Sequence, residues 1–402
     1  MRVALLQNFV APYRVPLYER LRDRLTAFRV FVSTPMESDR SWQVDWGTLD
    51  VVVQRNLTIR RHSRDQMGFT RLLRVHFPFD TIPQLWRYRP DAVISVELGL
   101  RTLQVVLYKM LRPSTRLIIW CKLSEHTERS WGFARMALRR FLLSKADKVM
   151  VNGESGARYI ERLGVPDSQI ARINQPVDIS LFTTVKRVRP ATARTRMLCC
   201  GTMTARKGVV PFLRQVDQWA RRHSDTLIEI WWLGGGPLRA ELEAFLSAPN
   251  LSQRFIGEVQ YSELPAWYAE VDILAFPTLL DEWGLVVNEA MAAGLPVMGS
   301  LYAQAVTELV EDGITGWIFD PTNDASAHRA LDRLHSVPAQ KLAAMREAAQ
   351  KRIGRLTPDF TAEKIFELLC EVVAPISNTI AQSGVVQPNA TTRTVGSPMN
   401  EA

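Results

Sequence analysis

The chain has 402 residues, a formal net charge of +9 and 47% hydrophobic residues, which is the composition of a globular protein. It is too long for one ordinary core and predicts two domains of about 180 residues each. No run of about 18 apolar residues occurs, so the sequence predicts no membrane-spanning helix.

The charge is unevenly distributed along the chain. Residues 1–180 contain 29 Lys and Arg against 17 Asp and Glu, whereas residues 181–402 contain 21 against 24. A basic half indicates an anionic partner, such as phospholipid headgroups or a pyrophosphate-linked acceptor. The basic residues are interspersed with acids and form no known nucleic-acid-binding motif, so we predict no nucleic-acid partner. Generic surface charge is the alternative interpretation.

Short apolar runs alternate with longer amphipathic segments through the first half, which predicts a parallel sheet with helices on both faces. Strands are predicted at 2–6, 28–33, 51–54, 92–96, 116–120 and 148–152, and helices at 15–24, 102–111, 133–144 and 154–163.

A second alternating set follows a stretch rich in Lys, Arg, Pro and Thr at 183–196, which we interpret as an interdomain linker. Its predicted strands are 197–200, 227–233, 273–276 and 297–299. The sequence therefore predicts an α/β fold with two doubly wound parallel sheets and a ligand cleft between their carboxyl edges. The predicted domains are 1–182 and 197–358, and the Ser/Thr/Asn/Pro-rich residues 375–402 are predicted to be a disordered tail. The four cysteines have no metal-binding spacing and are predicted to be buried free thiols, as expected in a reducing cytoplasm.

The segment 277–297, PTLLDEWGLVVNEAMAAGLPV, carries the strongest functional pattern in the chain. Asp281 and Glu289 lie on either side of a turn at 283–286 that opens into a predicted helix, 285–293. A helix start presents unpaired N–H groups and the positive end of the helix dipole, so this turn is suited to a diphosphate. The flanking acids are repelled by phosphate but accept hydrogen bonds from sugar hydroxyls. The pattern therefore indicates a nucleotide-sugar site, and the alternative is an amphipathic helix with a solvated glutamate.

This block resembles the donor site of retaining glycosyltransferases of family 4, which have two facing Rossmann-like domains, the GT-B fold. That family usually carries two glutamates separated by seven residues, the first for the donor hexose and the second for the nucleotide ribose. Asp281 and Glu289 occupy these positions, with an aspartate one methylene shorter than the usual glutamate. The resemblance implies that the helix start also binds the donor, through Trp283, Gly284, Leu285 and Val286. It further implies that a last helix, 359–374, returns to the first domain.

A second loop, GTMTARKGVV at 201–210, follows a predicted buried strand and leads into a helix. A lysine here, Lys207, is suited to neutralise a β-phosphate as a point charge. The family normally carries an arginine directly after the glycine Gly201, but Thr202 stands at that position. We expect Arg206 to substitute for it in part.

Two further loops resemble the nucleotide site of the family. The triple glycine 234–236, with Gly235 at its centre, matches a loop that passes close to the nucleotide, although it is equally consistent with a simple strand-to-helix turn. Glu258 and Val259 follow at the position whose backbone reads the base edge in the family.

The resemblance implies catalysis with retention of the anomeric configuration and with no metal or other cofactor. The sequence contains no Asp-x-Asp and no compact His/Asp cluster, so Lys207, Arg206 and the helix start are expected to stabilise the leaving diphosphate. The remaining catalytic participant in the family is a histidine after a first-domain strand. His126 is the candidate, with neighbouring Glu125 as a competitor.

The first domain is expected to bind the acceptor, and Asn8, Tyr13 and Arg14 are acceptor-side candidates because they follow the first strand. Residues 55–76 mix arginine with Leu, Met and Phe, which is typical of docking on an anionic membrane. A solvated loop and helix are the alternative for this segment.

Together these patterns predict transfer of a hexose from a nucleoside diphosphate sugar to a glycan or lipid-linked acceptor in polysaccharide or cell-envelope glycan biosynthesis. The predicted location is cytoplasmic, peripheral at the inner face of the plasma membrane. One alternative is another enzyme of the same fold, such as a hydrolysing epimerase or a sucrose-type synthase. Another is a non-catalytic nucleotide- or glycan-binding scaffold, which Thr202 at the usual arginine position favours.

Overall fold

The computed structural model describes residues 1–37, 44–64, 70–128, 132–183 and 194–374, with side chains described outside 61–73. The strands of the first half are β1 Arg2–Gln7, β2 Ala27–Val32, β3 Val51–Val53, β4 Asn56–Arg64, β5 Thr70–Pro78, β6 Ala92–Val96, β7 Arg116–Cys121, β8 Lys148–Val151 and β9 Ile170–Arg172. The helices are α1 Val15–Arg22, α2 Thr81–Tyr88, α3 Leu100–Leu111, α4 Phe133–Ser144, α5 Glu154–Glu161 and α6 Ser180–Thr183.

Seven of these strands form one parallel sheet in the order β3-β2-β1-β6-β7-β8-β9. Strand β6 is buried at every position, which explains why its sequence is a continuous apolar run instead of an alternating one. The chain winds outward in both directions from the middle of the sheet. The topological switch point, where ligands of such sheets bind, therefore lies between β1 and β6.

Strands β4 and β5 form an antiparallel hairpin outside the parallel sheet. The alternative of a solvated loop and helix for residues 55–76 is therefore wrong. The physical reason is a period of two: Leu57 pairs with Phe77 and Ile59 with Val75, so apolar residues at alternate positions share one face of the hairpin.

The second half repeats the same architecture. Its strands are β10 Arg194–Cys200, β11 Leu227–Leu233, β12 Leu251–Gly257, β13 Ile273–Phe276, β14 Val297–Ser300 and β15 Gly316–Phe319. Its helices are α7 Val209–Arg222, α8 Arg239–Glu243, α9 Leu264–Ala269, α10 Leu285–Ala292, α11 Gln304–Leu309, α12 Asp324–His335, α13 Ala339–Ile353 and α14 Pro358–Val373.

The second sheet is also parallel, in the order β12-β11-β10-β13-β14-β15. Its switch point lies between β10 and β13, at the edge that carries the 201–210 loop and the 277–297 segment. The two sheets confirm the predicted fold of two doubly wound α/β domains. The sequence reading missed the edge strands β9, β12 and β15.

The last helix packs on the first domain. Ala362, Ile365 and Leu369 of α14 are buried in one cluster with Val3 and Leu5 of β1. The predicted boundaries between the domains stay predictions, although β10 begins inside the predicted linker, 183–196. Residues 184–193 of that linker and the predicted tail 375–402 lie outside the described residues.

Two further expectations have an outcome in the fold. Cys121 and Cys199 are buried free thiols, whereas Cys370 is exposed, so the prediction of four buried thiols is wrong. Within the described residues, no helix combines the length and the apolar character that crossing a bilayer requires.

Candidate active site

The switch point of the second sheet carries an ion pair between the two segments that the sequence singled out. After β10 the chain turns at Gly201 and forms a short 3-10 turn, Ala205–Lys207, before α7 begins. Lys207 Nζ donates to Asp281 Oδ2 at 2.5 Å. Arg206 Nη1 lies 3.6 Å from the same oxygen and donates to the Leu280 carbonyl at 2.6 Å. The structure thus brings together Lys207, Arg206 and Asp281.

The glycine after Lys207 is required by this approach of two loops. Gly208 has φ +67°, and a Cβ at this position would lie 2.2 Å from the carbonyl oxygen of Pro277. Only glycine therefore lets the start of α7 pack against the segment that leads to Asp281. The Lys-Gly pattern in the sequence is explained by this contact.

The triple glycine packs against the same loop. Gly234 and Gly236 have φ values of +125° and +147°, and a Cβ on them would meet the carbonyl oxygens of Gly201 and Met203 at 2.4 and 2.5 Å. These glycines therefore serve close backbone packing at the edge of the sheet, which is more than a simple strand-to-helix turn requires.

The loop after β12 completes this edge. Gly234 N donates to the Gly257 carbonyl at 2.7 Å. The exposed side chain of Glu258 crosses Gly235, whose Cβ would lie 3.0 Å from Glu258 Oε1. Val259, which follows, is partly buried. Backbone groups of three loops thus line one edge of the sheet.

Helix α10 begins at this edge. Gly284 precedes it with φ +106°, a conformation in which a Cβ would lie 2.6 Å from the Phe276 ring. Leu285 and Val286 form its first turn, whose N–H groups have no partner within the helix. Trp283, predicted to bind the donor, is only 2% exposed, and its Nε1 donates to Asn288 Oδ1 at 2.9 Å. Its side chain is therefore part of the core, and only its backbone belongs to the turn.

The environment lowers the pKa of both partners, which favours the charged form of Asp281 and disfavours the charged form of Lys207. Burial acts to raise the pKa of Asp281, but the charges of Lys207 and Arg206 outweigh it and hold that pKa below its ordinary value. Burial lowers the pKa of Lys207, and Arg206 lowers it further, against the opposing effect of Asp281. A negative charge delivered near Lys207 would therefore compete with Asp281 for its ammonium group.

Glu289 lies deeper, on the buried face of α10. It is 5% exposed, and its Oε2 accepts a hydrogen bond from the Tyr268 hydroxyl at 2.9 Å. Burial raises the pKa of Glu289 to about 7, although hydrogen bonds from Tyr268 and Tyr261 act to lower it. The carboxyl group is therefore a fixed hydrogen-bonding group that changes charge near neutral pH.

Thr202 is exposed at the tip of the loop after β10, and its carbonyl accepts a hydrogen bond from Thr204 N at 2.9 Å. Arg206, four residues later, carries the guanidinium group that pairs with the Asp281 carboxylate. The described residues contain no group of three or more His, Cys, Asp and Glu that could hold a metal ion.

The first-domain candidates lie in different surroundings. The His126 ring packs edge-on against Tyr302, with ring centroids 5.3 Å apart, and Tyr302 precedes the Ala303 that forms a bridge with Asp281. Glu125 instead accepts hydrogen bonds from Arg158 and Arg162. Glu125 is therefore engaged within its own domain, whereas His126 borders the loop of Asp281.

The acceptor-side candidates meet the carboxyl edge of the first sheet. Asn8 is hydrogen-bonded there to Glu97 and Arg101. Arg14 is only 4% exposed, packs its guanidinium on the rings of Tyr13 and Trp120, and donates to Gln175. Arg14 is therefore a buried residue near the cleft, and Tyr13 is its partly exposed neighbour.

Three cleft residues escaped the sequence reading: Glu97 after β6, Lys122 after β7 and Glu282 next to Asp281. Burial lowers the pKa of Lys122 to about 8, and the charge of Arg14 contributes, whereas Glu282 and Glu97 act to raise it. Glu97 and Glu282 are both exposed. Their positions in the sequence could have identified them, because each one directly follows a strand or a residue of the motif.

Comparisons with known proteins give the relatives of this chain. Residues 194–336 match the family model described as glycosyl transferases group 1. The chain is 28% identical over 147 residues to the alpha-D-kanosaminyltransferase of Streptomyces kanamyceticus, across 36% of this chain and 37% of that protein. It is 28% identical over 239 residues to a glycogen synthase of Mycobacterium tuberculosis, across 59% of this chain and 56% of that protein.

The match thus spans about a third to a little over half of the length of these curated relatives. Among solved structures, Anabaena Alr3699/HepE in complex with UDP superimposes with a TM-score of 0.67 at 16% identity, over 92% of this chain and 100% of that one. At this identity the likeness concerns the fold, which is shared along nearly the whole described chain.

Proposed function

We propose that this chain transfers a hexose from a nucleoside diphosphate sugar to a glycan or lipid-linked acceptor, because residues 194–336 match the model of the glycosyl transferases of group 1 and the two doubly wound sheets form a GT-B fold. The proposed reaction retains the anomeric configuration and uses no metal. Its setting is the synthesis of a polysaccharide or a cell-envelope glycan.

The observation that carries the proposal is the Lys207–Asp281 pair at the start of α10. The diphosphate would lie at the first turn of α10, where Lys207 and Arg206 neutralise the negative charge that develops when the leaving group departs. Lys207 would then exchange Asp281 for a phosphate oxygen. Asp281, released from Lys207, would accept hydrogen bonds from the hydroxyls of the hexose.

The remaining donor contacts follow from the same arrangement. Glu289 would accept hydrogen bonds from the ribose, and the backbone at Gly257, Glu258 and Val259 would meet the base. We take UDP as the first nucleotide to test, because the HepE structure of the same fold contains it. His126, which borders the Asp281 loop through Tyr302, is the proposed group near the reacting carbon.

We also propose that the first domain docks on an anionic membrane. Helices α3 and α4 expose large apolar side chains, with Phe133 90% exposed and Met110 and Leu111 more than half exposed. Arg140 of α4 is also exposed. Apolar side chains that insert and cations that meet phosphates are the features of an interfacial helix.

Nucleotide binding without metal tests the proposal. Purified chain in EDTA is heated with UDP, GDP, ADP, dTDP or CMP, and the melting temperature is recorded. At about 100 times Kd, a ligand adds about 2.7 kcal/mol of stability, which raises the melting temperature by a few degrees. We expect one diphosphate to respond and Lys207→Ala to abolish most of the response, whereas Lys341→Ala, an exposed lysine on α13, keeps it.

Product analysis distinguishes a glycosyltransferase from the other proteins that would also bind the nucleotide. Incubation with the UDP-hexose and candidate acceptors should give a glycoside with the configuration of the donor, detected by NMR of the anomeric proton. A response to nucleotide in every binding assay without any product would support a scaffold instead. No response to any nucleotide would refute the proposed donor site.

A further inference from the structure

The first sheet has a polar pair at its switch point, in the position that corresponds to the Lys207–Asp281 pair of the second sheet. Asn8 directly follows β1 and Glu97 directly follows β6, the two strands between which the winding direction changes. Asn8 Nδ2 donates to Glu97 Oε1 at 2.6 Å. Ligands of doubly wound sheets bind at this point, so the pair marks a second subsite across the cleft.

The backbone at Glu97 is strained. Its φ of +92° is a conformation that L-residues other than glycine seldom adopt, and Arg89 is the one other non-glycine residue with positive φ among the described residues. The strain is stabilised by surrounding bonds: Glu97 N donates to the Trp120 carbonyl at 3.2 Å, and Thr102 Oγ1 donates to the Glu97 carbonyl. Such strain concentrates at functional sites, where it aims a side chain.

Asn8 is itself fixed, so the orientation of the Glu97 carboxylate is fixed too. Arg101 Nη2 donates both to Asn8 Oδ1 and to Ser33 Oγ, the second at 2.6 Å. Arg101 is only 3% exposed. The buried guanidinium group of Arg101 thus orients the Asn8 amide, and this amide orients the Glu97 carboxylate. Glu97 itself is exposed to the cleft.

The exposed groups around Glu97 are mostly acidic. Glu282 of the second domain is exposed, and both Glu97 and Glu282 act on the charge of Lys122. Lys122 is partly buried, and the two nearby arginines, Arg14 and Arg101, are 4% and 3% exposed. A ligand that approaches Glu97 therefore meets two carboxylates and the Lys122 ammonium group, since Arg14 and Arg101 are buried. The partly exposed Arg206 also acts on the charge of Glu282, but it is paired with Asp281 on the side of the second domain.

We propose that Glu97, fixed by Asn8, binds hydroxyl groups of the acceptor, and that the reacting end of the acceptor is an uncharged sugar or polyol. The inference rests on the proposed glycosyl transfer. Carboxylates accept hydrogen bonds from pairs of sugar hydroxyls, with Lys122 as a donor to a third oxygen. A phosphorylated sugar would place its negative charge against Glu97 and Glu282, so this subsite selects against it.

Saturation-transfer NMR on the full chain with bound UDP tests the subsite. The probes are glucose, galactose and mannose, each compared with its 6-phosphate. We expect at least one neutral sugar to bind and its phosphate to bind more weakly. Glu97→Gln and Glu97→Ala should each lower the affinity for the neutral sugar about tenfold or more, because each variant removes a charged hydrogen-bond acceptor. Glu347→Gln, an exposed glutamate on α13, is the matched control.

The UDP-induced rise in melting temperature should be unchanged in both Glu97 variants, which distinguishes this subsite from the donor site. If UDP does not raise the melting temperature of the wild-type chain, the proposed function fails. The binding of the neutral sugars then still tests the Glu97 subsite. Binding of phosphorylated sugars in preference to neutral ones, no binding of any neutral sugar, or unchanged binding by Glu97→Ala would overturn the inference.

Discussion

Glu289 is a buried carboxyl group whose protonation couples to folding. Its pKa is about 7 in the folded chain against an ordinary value of 4.5, so the folded state binds the proton more tightly than the unfolded state. Its contribution to stability is therefore complete below pH 4.5 and is lost as pH rises to about 7. Between pH 5 and 8, we expect this group to cost about 2 to 3 kcal/mol of unfolding free energy.

Denaturant titrations over that pH range measure the effect. Glu289→Gln should remove this part of the pH dependence, because the amide does not ionise. Tyr268→Phe should extend the fall to higher pH, because the hydroxyl that donates to the carboxylate and lowers its pKa is gone. Identical pH slopes for the wild type and Glu289→Gln would show that the group does not titrate in this range.

Glu97 offers a second prediction at the scale of a residue. Glycine adopts a φ of +92° without the steric penalty that a Cβ meets there, a penalty of about 1 to 2 kcal/mol. Glu97→Gly should therefore melt at or above the wild-type temperature while it loses binding of the neutral sugar. A variant that is strongly destabilised would instead assign Glu97 a structural role.

Residues were predictable from the sequence where a motif fixed them. Lys207, Asp281 and Glu289 lie at one edge because the segments that carry them follow neighbouring strands, and the resemblance of both segments to the family already implied this. Glu97, Lys122 and Glu282 were not found, because their proximity depends on the order of strands in the sheet and on the packing of two domains. Neither is encoded in local spacing.

At the scale of elements, a single glycine controls the loop that carries Lys207. Gly208→Ala would place a Cβ 2.2 Å from the Pro277 carbonyl oxygen, a backbone atom that cannot move alone. We expect a loss of roughly 3 kcal/mol or more in unfolding free energy, together with a weaker response to UDP. The measurement is denaturant unfolding followed by the nucleotide melt.

Gly164→Ala is the matched control, because Gly164 also has positive φ, +94°, but has no atom within 4 Å of the Cβ position. It should cost only the conformational strain, about 1 to 2 kcal/mol, and leave the UDP response intact. Equal losses for the two variants would mean that the close contact with Pro277 relaxes at no cost.

The central elements were predictable because burial on both faces leaves long apolar runs. Strands 92–96 and 227–233 were predicted with the bounds that the structure shows. The β4–β5 hairpin was missed because the alternation in each strand is short, Leu57 and Ile59 in one and Val75 and Phe77 in the other. These residues form one apolar face only when the two strands are paired. Pairing between the two strands determines the conformation of this segment, and residue propensities do not predict such pairing.

At the scale of the whole molecule, the two domains meet through hydrogen bonds near both subsites. Gln304 Nε2 donates to the Glu282 carbonyl at 2.6 Å and to the Lys122 carbonyl at 3.3 Å. Asn152 Nδ2 also donates to the Glu282 carbonyl at 3.3 Å. The segment that carries Asp281 and Glu282 is therefore bonded to the first domain. A change in the angle between the domains would move the two proposed subsites, for donor and acceptor, relative to each other.

Helix α14 connects the domains in a different way, because it follows the second domain in sequence but completes the core of the first. Ile365 is fully buried there with β1 residues, and Arg24 of the first domain pairs with Asp359 and Glu363 at 2.9 and 2.8 Å. Ile365→Ala should cost about 2 to 5 kcal/mol, the range for a large-to-small change in a core. The cost should fall on the first domain.

Hydrogen exchange measured by mass spectrometry resolves where that cost falls. In Ile365→Ala, peptides that contain β1 and β2 should exchange faster, because the core beneath them has a cavity, while β10 and β13 keep their protection. Glu367→Ala on the exposed face of α14 should change neither set. Faster exchange in both domains would show that they unfold as one unit, and no change in β1 would show that α14 is dispensable to the first domain. The expected result instead makes α14 a structural part of the first domain.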